Sequence, residues 1–333
     1  MRKLLLIFII NTITVNLLNA QYIYPVSVYE SSSKDIDLSN FDIKDTLLFL
    51  PLGNEELQIL NISDINNINK FSKYEEYEKR YGKKVFGNAY GIKVIDNRAY
   101  LSYGDLGLKI LDITDPETIY SIGTYYRHQE VYCVEIFENF ACLGYKSLGL
   151  EIIDFSDLSN ITMVSRNNVK DFSVKNIQIL SPYIMISGGD RGLKTFKFKE
   201  PITGFKQAEF PKDFMYDAPA NKILVRATTG YVANDFRGLS ILNLNLPLYP
   251  HEVGNIKTNG KAIDLAIDRN YLYVVCSKSI EVYDIKEPEK PEKIFEHVEK
   301  DKKFQSITIK GSTLFASFTT NSRDYGIMVF QVE

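Results

Sequence analysis

Gly107-Leu108-Lys109-Ile110-Leu111-Asp112-Ile113-Thr114-Asp115-Pro116 decides the fold, because the chain repeats it. The string reads as a buried β-strand: Leu108, Ile110 and Leu111 sit among β-formers, and Asp115-Pro116 closes the run as a turn. Gly107 in front supplies a residue that takes positive φ without strain, as a tight strand-to-strand turn requires. The same pattern returns as Gly149-Leu150-Glu151-Ile152-Ile153-Asp154-Phe155-Ser156-Asp157 and as Gly192-Leu193-Lys194-Thr195-Phe196-Lys197-Phe198. Looser copies begin at Leu57, Leu239, Ile280 and Ile327, which makes seven.

Spacing turns the repeat into an architecture. Measured between first apolar residues, the gaps are 51, 42, 43, 46, 41 and 47 residues. A period in the low forties built from strands alone predicts β-propeller blades, which run to about 40–50 residues and four strands each. Second strands are expected at 47–50, 99–103, 141–144, 183–187, 223–227, 271–276 and 313–318. Earlier strands are clearest at 131–137, 173–180, 263–267 and 304–309, and fourth strands at 119–125 and 161–164. No period-3.6 stripe that would mark a helical solenoid occurs in these segments. The expected fold is all-β, a seven-bladed β-propeller of about four strands per blade.

The ends of the chain supply the closure. Tyr22 to Glu30 alternates like a strand, yet Asp35 to Ile43 already fills the first-strand place of the first repeat, while the last repeat stops at Glu333 without a fourth strand. An N-terminal strand that completes the last blade removes two exposed edges at once. Ahead of it, Arg2 and Lys3, the apolar run Leu4 to Ile10 and the small-residue site before Gln21 fit a secretory signal peptide over residues 1–20. Asn11, Thr12, Thr14 and Asn16 interrupt the run well short of the roughly 20 apolar residues a membrane span needs. Residues 21–333 then form one propeller domain with no membrane span, exported to the periplasm, the cell surface or the medium.

Composition narrows the partners. The leader carries two of the 39 basic residues and none of the 42 acidic ones, leaving a net charge of −5. Mild acidity argues against a nucleic acid or an anionic membrane held by long-range attraction. Cys133, Cys142 and Cys276 are too few for a disulfide scaffold. A two-residue turn at Glu138-Asn139 sets Phe137 opposite Phe140 and Cys133 diagonal to Cys142. That geometry favours buried free thiols over a bridge.

The strings at Leu108 and Leu150 resemble those of the LVIVD-repeat proteins, exported β-propellers of bacteria and archaea. The likeness covers nearly the whole mature chain and is strongest in the second and third repeats. It implies a propeller and an exported location, and it carries no catalytic residues to transfer. The chain has no tryptophan, so its repeats do not look like WD repeats.

Chemistry-bearing motifs are sparse. His128, His251 and His297 fall in different repeats, and no metal-ligand spacing, phosphate loop or nucleophile elbow is present, so neither a cofactor nor a metal is expected. Asp112, Asp115, Asp154, Asp157 and Asp284 end the repeated strands, where an aspartate closes a turn by accepting a backbone N–H two residues on. Three excursions interrupt the repeats. Residues 65–88 read as a solvated turn or short helix outside the ring, with a partner-binding flap as the sharper reading. Residues 228–237 read as a long turn in the fifth blade, and residues 319–325 as another in the last.

In a propeller, the turns before the repeated strand and the connections between blades share one face. The candidate binding residues there are Asp105 on the second blade's turn, and Asp190 and Arg191 on the fourth. Tyr231, Asp235, Phe236 and Arg237 are assigned to the fifth, Arg323 to the last, and Arg127 and His128 to the connection between the second and third. Mixed charge with aromatic and arginine anchors suits a non-catalytic scaffold that engages a protein or glycan partner. The competing reading is a propeller-type hydrolase or lyase acting on glycans in the central channel, which requires carboxylates converging in a deep pocket.

Overall fold

Each repeated string becomes the third strand of a four-stranded antiparallel sheet, and seven such sheets form the ring. The computed structural model describes residues 22–32, 38, 40–53, 56–80, 82–127, 129–169, 172–198, 205–206, 219–322 and 324–333. The first strands are Asp42–Lys44, Gly91–Ile95, Val131–Phe137, Asn176–Leu180, Lys222–Arg226, Ala262–Asp268 and Lys302–Lys310. Neighbouring first strands touch one another and so surround the axis. The third strands are Leu57–Asn61, Leu108–Asp112, Leu150–Asp154, Leu193–Phe198, Leu239–Asn243, Ser279–Asp284 and Asp324–Val332.

The string is nearly all apolar because both its faces are covered. Leu108 and Ile110 pack with Ala141, Leu143 and Ile153 of the third blade, whereas Leu111 and Ile113 pack with Phe49, Leu57 and Ile59 of the first. Successive side chains on a strand point to opposite faces, so one string serves two blade interfaces. Among the described residues the core divides into seven apolar clusters, one per interface. Among the described residues, in six blades a bulge in the fourth strand falls opposite the middle of the string, as at Ile110/Leu111.

The N-terminal strand Ile23–Ser32 lies antiparallel to Asp324–Val332, giving the last sheet its fourth strand. Tyr22 and Glu333 exchange backbone hydrogen bonds of 2.9 and 3.0 Å at the joint. Pro25 is tolerated because this strand is the outer edge of its sheet, next to a bulge. Residues 1–21 lie outside the described residues, so the expected signal peptide receives no structural account.

Three expectations are corrected. The span 65–88 is neither turn nor helix: it holds the first blade's fourth strand, Asn69–Tyr74, and a two-stranded hairpin, Tyr77–Arg80 with Lys83–Phe86. In the fifth blade, 223–226 belongs to the first strand, Lys222–Arg226, and Thr229–Ala233 is the second. Tyr231 therefore lies in a strand, fully buried, not in a long turn. The turn between them is only Ala227-Thr228, a pair without the Gly, Pro, Asn or Asp that punctuates a turn. In the last blade the strands reach Thr320 and resume at Asp324, leaving a short turn where a long loop was expected.

Cys133, Cys142 and Cys276 are free and buried. Cys133 stands opposite Gly144 in the ladder, and its Sγ reaches the Val174 carbonyl at 3.7 Å.

Candidate functional site

The face that carries the second-to-third-strand turns also carries the mouth of the central channel. A cavity of about 340 Å3 opens there, lined by Asn40, Tyr132, Lys175, Asn176, Asn221, Lys222, Ile263, Asp264 and Gln305. Below it the channel widens into a chamber of about 510 Å3 between the first strands. Positions 132, 175, 221, 263 and 305 recur at gaps of 43, 46, 42 and 42 residues, in phase with the repeat. Each lies at or near the start of a first strand. Sequence reading missed them because it followed the third strand, whose apolar string is the stronger signal; Tyr132, Lys175, Asn221 and Gln305, in phase with it, were the available clue.

The mouth's polar groups are built in, and most face one another. Asp264 accepts from Lys222 Nζ at 2.6 Å, Ser306 Oγ at 2.6 Å, Ile307 N at 2.8 Å and Leu265 N at 2.8 Å. Its carboxylate is saturated and holds three blades together. Asn221 donates to the Ala262 carbonyl at 2.9 Å, and Lys175 Nζ donates to Asn221 Oδ1 at 3.3 Å. Tyr132 stacks on Tyr90 with ring centroids 4.4 Å apart. What the mouth still offers a ligand is the exposed side chain of Lys175 and the aromatic wall of Tyr132.

The residues singled out from sequence line the rim without converging. Asp105, Asp190 with Arg191, and Arg237 are exposed on three separate turns, and Asp235 is half-buried. Among the described residues Phe236 is the most exposed aromatic, at 66%. Lys261 Nζ sits 4.2 Å over its ring, and Arg237 pairs with Glu252 at 2.8 Å. Tyr231 is turned inward instead, its hydroxyl donating to the Pro288 carbonyl at 2.9 Å. His128 and Arg323 lie outside the described residues.

Arg127 belongs to a seam between blades. The second residue of the string faces the preceding blade near this rim, and there the chain buries Gln58, Lys109, Glu151 and Glu281. Glu151 is fully enclosed: Tyr145 and Tyr125 donate to it at 2.7 and 3.2 Å, and Arg166 and Arg127 (3.2 Å) pair with it. Burial and the Glu151 charge push the Tyr125 hydroxyl up to about 12. A buried charge costs several kcal/mol unless it is paired and fully hydrogen-bonded, which this one is.

On the opposite face a hollow of about 820 Å3 lies among the first-to-second-strand turns of the first three blades. Its Asp45, Asp96 and Glu138 occupy left-handed backbone at φ of 49, 50 and 51°. Their residue types answer the turn geometry.

The repeat model matches residues 86–126, 131–169 and 259–296 as LVIVD repeat. The chain is a seven-bladed β-propeller that carries LVIVD repeats in these three stretches. Those matches are the second, third and sixth blades, with their strings at Leu108, Leu150 and Ile280. Solved structures match this propeller in fold. A chain of the Mitotic Checkpoint Complex aligns at 11% identity and TM-score 0.67, covering 91% of this chain and 93% of that one. The WD40 propeller domain of Doa1 aligns at 9% and 0.66, over 92% and 97%. The computationally designed Ika8 protein aligns at 8% and 0.61, over 91% and 99%. At such identities the likeness is one of fold alone. Comparison with curated proteins returns no match.

Proposed function

We propose that the protein is an exported, non-catalytic binding scaffold that holds a protein or glycan partner against the face bearing the channel mouth. The observation that carries this reading is the cavity at the mouth, lined by residues from six blades and edged by the exposed Lys175 side chain and by Tyr132. Binding sites are concave, largely pre-formed and furnished with a few placed polar groups, and this one is fixed by the rigid first strands. Glycan hydrolysis would call for two carboxyl groups roughly 5–10 Å apart flanking the bond. Among the described residues lining the mouth, Asp264 is the one carboxylate, and its four partners leave it committed to the ring.

The test is capture from the native envelope fraction by the immobilised full chain. Lys175→Glu with Tyr132→Ala should lower recovery of the captured partner at an unchanged thermal midpoint. Recovery equal to wild type would remove the mouth from the reading. Export is checked separately: N-terminal sequencing of native material should begin near Gln21.

A further inference from the structure

The hairpin formed by Tyr77–Arg80 and Lys83–Phe86 interrupts the connection between the first and second blades, on the face of the channel mouth. Joining the flanking strands takes about two to six residues, so the hairpin is surplus to the ring. Its root is fixed. Lys109, buried in the second blade, pairs with Glu76 at 2.7 Å, Tyr74 donates to the same carboxylate, and the Tyr103 hydroxyl accepts from Glu76 N at 3.0 Å. Gly87 closes the base, where a Cβ would come within 2.4 Å of the Tyr103 ring.

The outer part is charged against itself. Register sets Lys79 opposite Lys84 and Arg80 opposite Lys83, two cation–cation positions in succession. Like charges directly across a ladder destabilise it. Among the described residues no carboxylate pairs with Lys79, Lys83 or Lys84. Alternation places Tyr77, Phe86, Lys79 and Lys84 on one face, where Lys84 Nζ lies 4.1 Å over the Tyr77 ring and the two aromatics meet at 5.6 Å. Tyr77 and Phe86 are 40% and 44% exposed. Neither strand has a third partner among the described residues, so both edges present backbone donors and acceptors.

We infer that this hairpin is a rigidly rooted docking finger for an acidic peptide segment, bound in extended form. The cations supply charge complementarity, the open edge supplies main-chain hydrogen bonds, and the aromatic pair takes an apolar side chain. The open edges favour a peptide over an acidic glycan, which has no backbone to pair. The inference deepens the scaffold reading by naming a partner class, and it rests on that reading.

The experiment uses the full chain with a fluorescent decaglutamate peptide, a decalysine control, a uronate oligosaccharide and anionic phospholipid vesicles. Wild type should bind decaglutamate in preference to the other three, and more weakly as salt rises, since exposed charges are screened beyond about 8 Å at physiological ionic strength. Lys79→Glu/Lys83→Glu/Lys84→Glu should weaken that binding about tenfold or more, a 1.4 kcal/mol change, at an unchanged thermal midpoint. Lys79→Gln/Lys84→Gln should give an intermediate loss. Equal binding by wild type and the glutamate variant overturns the inference, as does preference for the glycan or the vesicles. Self-association of the glutamine variant with undiminished peptide binding also overturns it, since the lysines would then only guard the open edges. The channel-mouth variant separates the two proposals: it should bind decaglutamate normally even where it fails to capture the native partner.

Discussion

Tyr231 illustrates how a single residue changes meaning when its strand moves. As part of a long turn it looked like a binding anchor; in the second strand it is buried against the sixth blade and hydrogen-bonded to Pro288. Tyr231→Ala should therefore cost about 3–5 kcal/mol of stability, the range for large core truncations. Arg237→Ala, which loses only the half-exposed pair with Glu252, should cost no more than about 1 kcal/mol. Urea unfolding of the two variants checks both, and equal midpoints would return Tyr231 to the surface. The neighbouring turn offers a gain. Ala227 is held at φ 52° in left-handed backbone, which a Cβ makes unfavourable. Ala227→Gly should stabilise the domain by about 0.5–1 kcal/mol, offset in part by glycine's extra freedom when unfolded.

At the scale of the element, the aspartates after the string were legible from their type and place. Asp112, Asp154 and Asp284 each accept the backbone N–H two residues on at 2.8 Å, and Asp115 and Asp157 repeat the device at 3.0 and 2.9 Å. Hydrogen bonds hold three of these carboxyls below their usual range: chiefly from Thr118 at Asp115, Thr114 at Asp112 and Ser159 at Asp157. A depressed folded-state value means that the unfolded chain takes up the proton first as pH falls. The stabilisation is therefore complete above about pH 4 and is lost as pH drops through the lower folded values. Asp112→Asn/Asp115→Asn/Asp157→Asn keeps the acceptors without the titration. Its unfolding midpoint should fall less than the wild type's between pH 5 and 3 when followed by circular dichroism. The string itself was legible for the same kind of reason, since an apolar run covered on both faces leaves an unambiguous pattern. The hairpin at 77–86 was not, because charged strands outside any core carry no apolar alternation.

At the scale of the whole molecule, the ring was legible and the site was not. Period and strand content gave the seven blades, and the unmatched ends gave the closure. The mouth comes instead from residues that sit far apart in sequence and meet only because first strands surround an axis. Phe236 and Asp190 could be assigned to the correct face from topology, but nothing in their local sequence brings them to one point. Closure remains the most exposed part of this logic. Without residues 22–32 the strand Asp324–Val332 becomes an open edge carrying Gly326-Ile327-Met328-Val329-Phe330, and the seventh blade loses Ile23 from its core. A long apolar edge pairs readily with other chains. Deleting 22–32 should lower the urea midpoint of the whole domain and produce concentration-dependent association on size exclusion. A synthetic peptide of residues 22–32, binding only the folded ring, should restore the midpoint in proportion to the logarithm of its concentration once in excess. An unchanged midpoint in the deletion variant, or no response to the peptide, would mean that the N-terminal strand decorates the last blade without closing the ring.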